Sequence, residues 1–317
     1  MRKMILVLAI VGISFAQAAE TLTFGDVNYF LQKGQLNIKA DLSSTYYQEA
    51  SKQKNNTEET RGYQAQTRYG FGINDQMNIY LGLDFAFDRD VQDKTADPVT
   101  NKTDASYSQN GLANPVLGLN YRLMNQNQSR YNVDFGAVGS INIEDAEKGS
   151  SDGQVSQNGN FSNGRNSLEL NAGIGRKWDV ANEWRLTAGL IYNASGDQKI
   201  LSQDGDQKVT LDSSVDAFAL ATYQYRPVDE FMMLLSAKVT AISELSGKVN
   251  GLEASDDEHM DLDFLYQAKY LITDTFIANF HYGISNNADY DRTFSGNSFE
   301  IHKRRENIFG LGVDFLF

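Results

Sequence analysis

Three histidines, His259, His281 and His302, are the only imidazoles in a chain of 317 residues that contains no cysteine. Acid–base or nucleophilic catalysis would need one of them oriented by a carboxylate or amide beside a nucleophile or water. Ser285 shares a face with His281 on an extended segment but lies roughly 13 Å further along it. That spacing builds no catalytic pair, and no enzyme is expected. Asp204, Asp206, Asp256 and Asp257 bring calcium-type oxygens to loops without the spacing of a calcium-binding loop. They read as solvated acidic surface, so neither a metal nor a cofactor is expected. Without cysteine there are no disulfides and no thiolate metal sites. A formal net charge of −13 argues against nucleic acid as a partner and leaves divalent cations to bridge any polyanionic surface.

The chemistry that remains is electrostatic, and it is ordered along the chain. Read by alternation, Asp84, Asp88, Glu169, Asp216, Asp261 and Asp263 fall on the polar face toward one end of their segments. Arg68, Arg122, Lys177, Arg185, Arg226 and Lys269 fall on the same face toward the other end, with Asp134 and Asp314 among them. Lys39, Asp41 and Lys238 lie nearer the middle.

The elements that hold these charges have a hydrophobic period of two. From Gln35 onward, alternation predicts strands over Gln35–Tyr47, Gly62–Ile73, Met77–Asp88, Gly111–Met124, Tyr131–Ile143, Asn166–Trp178, Trp184–Ala194, Asp212–Arg226, Phe231–Ile242, Met260–Ile272, Phe276–Ile284 and Arg305–Phe317. Each is long enough to cross a bilayer when tilted. The linkers alternate between long polar loops and short turns, and aromatics gather on the short-turn side at Tyr121, Tyr131, Trp178, Trp184, Tyr223, Tyr225, Phe231, Tyr270, Phe276 and Phe317. A mean hydropathy of −0.44 beside 18 Phe, 16 Tyr and 2 Trp suits strands with one face in lipid and the other in water. Met1–Ala18 has Arg2 and Lys3, an apolar run from Met4 to Phe15 and a small-x-small end, so a cleaved secretory signal is expected. Residues 19–33 follow as a periplasmic lead segment, where Phe24, Val27, Phe30 and Leu31 at helical spacing predict a short amphipathic helix near or in the barrel mouth.

The last stretch, RENIFGLGVDFLF, puts Phe309, Leu311, Val313, Phe315 and Phe317 on one face and Gly310, Gly312 and Asp314 on the other. It resembles the closing strand of bacterial outer-membrane β-barrel proteins, which implies that Phe315 and Phe317 are the signal read by the outer-membrane assembly machinery. Gly111–Met124, GLANPVLGLNYRLM, is similar to a stretch of the porin-like proteins linked to meta-pathway phenol degradation. The expected fold is all-β, a transmembrane up-and-down antiparallel barrel of twelve strands over residues 34–317. The resemblance implies the bacterial outer membrane, with membrane lipid and lipopolysaccharide as surroundings.

Twelve strands close into a cylinder roughly 24 Å across, which leaves about 10 Å between inward side chains. Two readings of the charged wall stay open. In one, an acidic mouth draws in cations and a basic ring filters below it, making a narrow diffusion pore for ions or small solutes. In the other, Arg122, Arg185 and Arg226 pair with Asp134 and Asp314 as a brace that closes the lumen, and function resides in the outer loops or in contacts between barrels. The eighth strand adds a small outer face, Val215, Ala217, Ala219 and Ala221, read either as a homo-oligomer contact or as ordinary lipid-facing surface. Phe218, Leu220, Met232 and Leu234 make an apolar inner patch nearby.

Overall fold

Strands with one face in lipid can satisfy their backbone groups only by pairing all the way round. The computed structural model describes residues 22–51, 56–95, 103–151, 156–201 and 206–317 and has that closure. The expected signal peptide, Met1–Ala18, and Asp204 lie outside the described residues. The staves are β1 (Leu36–Ser51), β2 (Asn56–Asn74), β3 (Met77–Thr95), β4 (Thr103–Leu112 and Val116–Met124), β5 (Asn132–Ser140), β6 (Ser167–Lys177), β7 (Asn182–Asn193), β8 (Ser214–Val228), β9 (Phe231–Ile242), β10 (His259–Thr273), β11 (Phe276–Asn287) and β12 (Asn297–Leu316). Each pairs antiparallel with the next. The ring is completed by β12 on β1, from Asn37↔Leu316 to Ser51↔Ile301. At the seam Leu36 N donates to Phe317 O at 2.9 Å and Phe317 N donates to Leu36 O at 2.8 Å.

The outer wall carries the apolar face that alternation assigns to it. Leu81, Phe85, Leu117, Leu170, Leu190, Leu235, Phe264, Phe309 and Leu311 are exposed, and Tyr121, Trp178, Tyr223, Tyr225, Tyr270 and Phe317 are exposed near the short turns. Several staves run past the predicted ends on the long-loop side. The added residues, 56–61 of β2 and 89–95 of β3, are polar in sequence apart from the single buried Val91, so they carry no period-two signal. The stave read as continuous from Gly111 to Met124 is broken between Leu112 and Val116. Pro115 has no N–H to give to the ladder. Asn114 turns in at the break and donates to Asn163 Oδ1 and Arg165 O, both at 2.7 Å.

The lead segment departs from expectation. Residues 22–35 form no helix; they make successive turns inside the periplasmic end of the ring. Gly25 has φ +97°, a left-handed value incompatible with a helix, and the Asp26 carboxylate accepts from Thr23 N at 2.7 Å to lock a turn in its place. The apolar side chains spaced like one helix face separate to different neighbours. Phe24 packs with Met232, Leu234 and Ile277, while Phe30 lies under the Arg122 guanidinium, 4.5 Å from its ring centroid.

Candidate functional site

The functional site is the inner wall and what fills it. At the periplasmic end the basic residues inferred to ring the lumen converge on the lead segment. Asp26, whose side chain is fully buried, accepts from Lys177 Nζ at 2.9 Å and Arg226 Nη2 at 2.7 Å, with Gln224 at 3.2 Å. Glu183 on β7 accepts from the backbone N–H groups of Val27 and Asn28 at 2.9 and 2.7 Å. Arg122 donates to Asn28 O and to Asp134 Oδ1, each at 2.7 Å, and Arg185 pairs with the other oxygen of Asp134. Lys269 Nζ reaches Gly25 O at 3.3 Å. Five cations from β4, β6, β7, β8 and β10 thus hold one short segment, and their charge is met by Asp26, Asp134 and Glu183. Buried charges need such partners, because an unpaired one would pay the full desolvation cost.

Sequence reasoning placed these cations and Asp134 on the inner face, with Arg122 and Arg185 as partners of that acid, but missed Asp26 and Glu183. Asp26 lies in a segment expected to be helical. Glu183 falls in the turn before a strand expected to begin at Trp184, although it shares parity with Arg185. The apolar inner patch of Met232 and Leu234 is the seat of Phe24.

Above the segment lies a polar cavity of about 700 Å³, with Leu31 in its floor and Asn37, Lys39, Asp41, Gln66, Arg68, Tyr80, Asn120, Glu169 and Asn171 in its walls. Leu31 also borders a second pocket of about 410 Å³ on the periplasmic side, shared with Tyr29, Phe30, Asp75, Arg122 and Asn125. Asp314 is buried and pairs with Lys39 at 3.2 Å; Asp84 stands 4.0 Å from Arg68. Tyr80 lies flat on the wall because its neighbour across the ladder is Gly118: a Cβ there would overlap the phenol ring. Gly118→Val is therefore expected to swing Tyr80 into the cavity. Once the lumen conducts, single-channel current should fall by about half or more while the barrel still shows the slower mobility of unboiled folded protein; unchanged current would refute this placement.

Toward the extracellular end Asp216, Asp261 and Asp263 face inward, and Asp216 accepts from Asn193 at 2.9 Å and Ser243 N at 3.1 Å. Asp88 is a correction: it sits exposed at a bulge with φ 48°, where the register of β3 shifts against β4, and Arg89 takes the inward place under Phe161 at 4.8 Å. His259 stacks on Tyr290 at 4.5 Å and its Nε2 meets Arg304 Nη1 at 3.0 Å. Burial in this outer cluster, aided by Asp256 and Glu49, pushes the Tyr290 phenol up from its ordinary value. His281 stands 3.8 Å from Asp41, while Ser285 donates instead to Asn287 at 2.8 Å. Asp256 binds Arg292 at 2.7 Å. Val215, Ala217, Ala219 and Ala221 face outward, and Ala221 borders an apolar groove of about 530 Å³ with Trp184, Tyr223, Phe264 and Tyr282.

No protein-family model matches the sequence, and no curated protein matches it. Among solved structures the chain is similar to an outer membrane channel from Pseudomonas putida, with a TM-score of 0.57 at 12% identity, covering 94% of this chain and 100% of that one. The NanC porin aligns with a TM-score of 0.43 at 9% identity over 86% of this chain and 98% of that one. A monoaromatic hydrocarbon channel, TodX, aligns with 0.43 at 9% over 92% and 91%. The first likeness confirms the fold, a closed antiparallel β-barrel of the kind that outer membrane channel has, and the exposed apolar belt is the surface such a barrel turns to lipid.

Proposed function

We propose that this barrel is an outer-membrane channel for small polar solutes, with residues 22–35 as a stopper that narrows its periplasmic outlet. The observation that carries the reading is the polar cavity of about 700 Å³ inside a closed ring, bounded below by Leu31. A wall that only braced the barrel would be expected to fill with interlocked side chains. Here Tyr80 is folded flat and the interior stays open and polar. Leu31, shared with the pocket below, marks the route past the stopper on the side of the β2–β3 and β4–β5 turns.

The test is a planar-bilayer recording on the purified protein together with liposome swelling in sugars of increasing size. Discrete small openings are expected, with swelling that fails for solutes wider than about 10 Å, the free width left by inward side chains in a ring of this size. A second reading, an occluded barrel working through its outer loops, is favoured by the clamp on Asp26. No current from the intact chain and none after the clamp is broken would select it.

A further inference from the structure

The charges in the cavity are not equivalent. Lys39 and Arg68 are direct cross-strand partners of β1 and β2, both facing inward. Like charges placed opposite each other repel, and the two heads turn apart, Lys39 toward Asp314 on β12 and Arg68 across Gly82 toward Asp84 on β3. Their carboxylates are withdrawn into the wall: the side chains of Asp314 and Asp84 are 4% and 18% exposed, whereas Lys39 and Arg68 keep 42% and 37%. The anions thus serve as backing, and the cations present themselves to the cavity.

Arg68 is the more telling of the two. Its guanidinium makes no hydrogen bond among the described residues, and its ion pair with Asp84 is long at 4.0 Å. A planar fork of five donors is left aimed at a polar space, the geometry that matches a carboxylate. Two acids share the lining, Asp41 and Glu169, and among the described residues neither forms an ion pair with Arg68 or Lys39. Asp41 lies toward β11, 3.8 Å from His281, and Glu169, on the far side of the ring, accepts from Asn171 at 2.6 Å. Beside apolar Ile79, Val116, Val138 and Ile191, the lining offers amides, among them Asn37, Gln66, Asn120 and Asn171, and the face of Tyr80, a mixture of polar groups and apolar surface that suits a hydroxylated carbon body.

We propose that this cavity is a binding site for a small hydroxylated carboxylate, held between Arg68 and Lys39, so that a chain of acidic overall charge selects organic anions in its lumen. The inference deepens the channel reading and rests on it for its role in transport. Three probes of one size separate charge from shape: gluconate, glucose and glucosamine, titrated calorimetrically into the full chain in detergent. Gluconate is expected to bind about tenfold or more tightly than glucose, and glucosamine more weakly than either. Arg68→Gln should cost about tenfold or more in gluconate affinity, the scale of a charge-assisted contact. Lys39→Gln should cost less, and Arg68→Lys should keep part of the binding. The mobility of unboiled protein confirms that each variant is folded, and Arg68→Lys, which keeps the charge, serves if the glutamine variant is not. Equal affinity for the three probes, no binding of any of them, or gluconate binding indifferent to both residues would overturn the proposal. A barrel that conducts but does not prefer gluconate would sink the anion site alone, and one that binds gluconate but passes no current would sink the channel reading alone.

Discussion

Replacing Asp26 by alanine is expected to raise single-channel conductance several-fold over that of the intact chain. The carboxylate is buried between Lys177 and Arg226 and also holds the Thr23 turn. Removing one partner of a buried ion pair costs about 3 to 5 kcal/mol, because the remaining charge keeps its desolvation penalty. Here two cations would be stranded, and they can recover water only if the lead segment leaves. A loss of about 3 kcal/mol shifts the docked-to-released ratio by more than about a hundredfold. The barrel's own ladders do not depend on the segment, so unfolding is not expected, and boiled and unboiled samples should still differ in mobility. Glu183→Gln should release the segment less, since an amide still accepts one of the two N–H groups from Val27 and Asn28. Conductance of Asp26→Ala identical to that of the unmodified chain would show that the segment does not limit the outlet.

A proline at Val313 is expected to leave almost no folded barrel in the outer membrane. Val313 lies between Ala40 of β1 and Ala278 of β11, in the stave that closes the ring. Proline removes a ladder donor, and in lipid each unpaired backbone group costs several kcal/mol with no water to take its place. Phe317→Ser should also lower insertion, by removing the terminal aromatic that stacks on Phe315 while leaving the backbone bonds to Leu36 in place. Membrane fractionation with the unboiled-mobility assay reads both. Wild-type levels of folded Val313→Pro would mean that β12 is not needed for closure, and normal levels of Phe317→Ser would remove the terminal aromatic from the assembly signal.

The closing strand shows why so much of the fold could be read in advance. Lipid outside and water inside impose opposite demands on adjacent residues, so Phe309 to Phe317 had to alternate, and parity alone places Asp314 on the wall of the lumen. The same rule put Arg122, Lys177, Arg185, Arg226 and Lys269 inside. It failed where one of its two solvents was missing. Beyond the apolar belt β2 and β3 have no lipid-facing side to mark, a lone Val91 being their one apolar residue there, and the strands continue unannounced through Asn56 and Thr95. At Asp88 a bulge shifts the parity by one, handing the inward place to Arg89.

The amino-acid sequence by itself determined the barrel, its twelve staves, its closing strand and, the bulge at Asp88 excepted, the side of the wall on which the charges of its strands stand, because all of these follow from local alternation between two solvents. Only the tertiary structure decided what those charges do. Asp26 meets Lys177 across 151 residues and Gln224 across 198, and no periodic pattern records such a pairing. A turn at Gly25, an acid one residue before a predicted strand and a tyrosine laid flat on Gly118 turn a ring of cations into a stopper's clamp with an open chamber above it. The physical reason is that burial and pairing depend on which distant groups arrive at the same depth of the lumen, and depth is set by the closed ring as a whole.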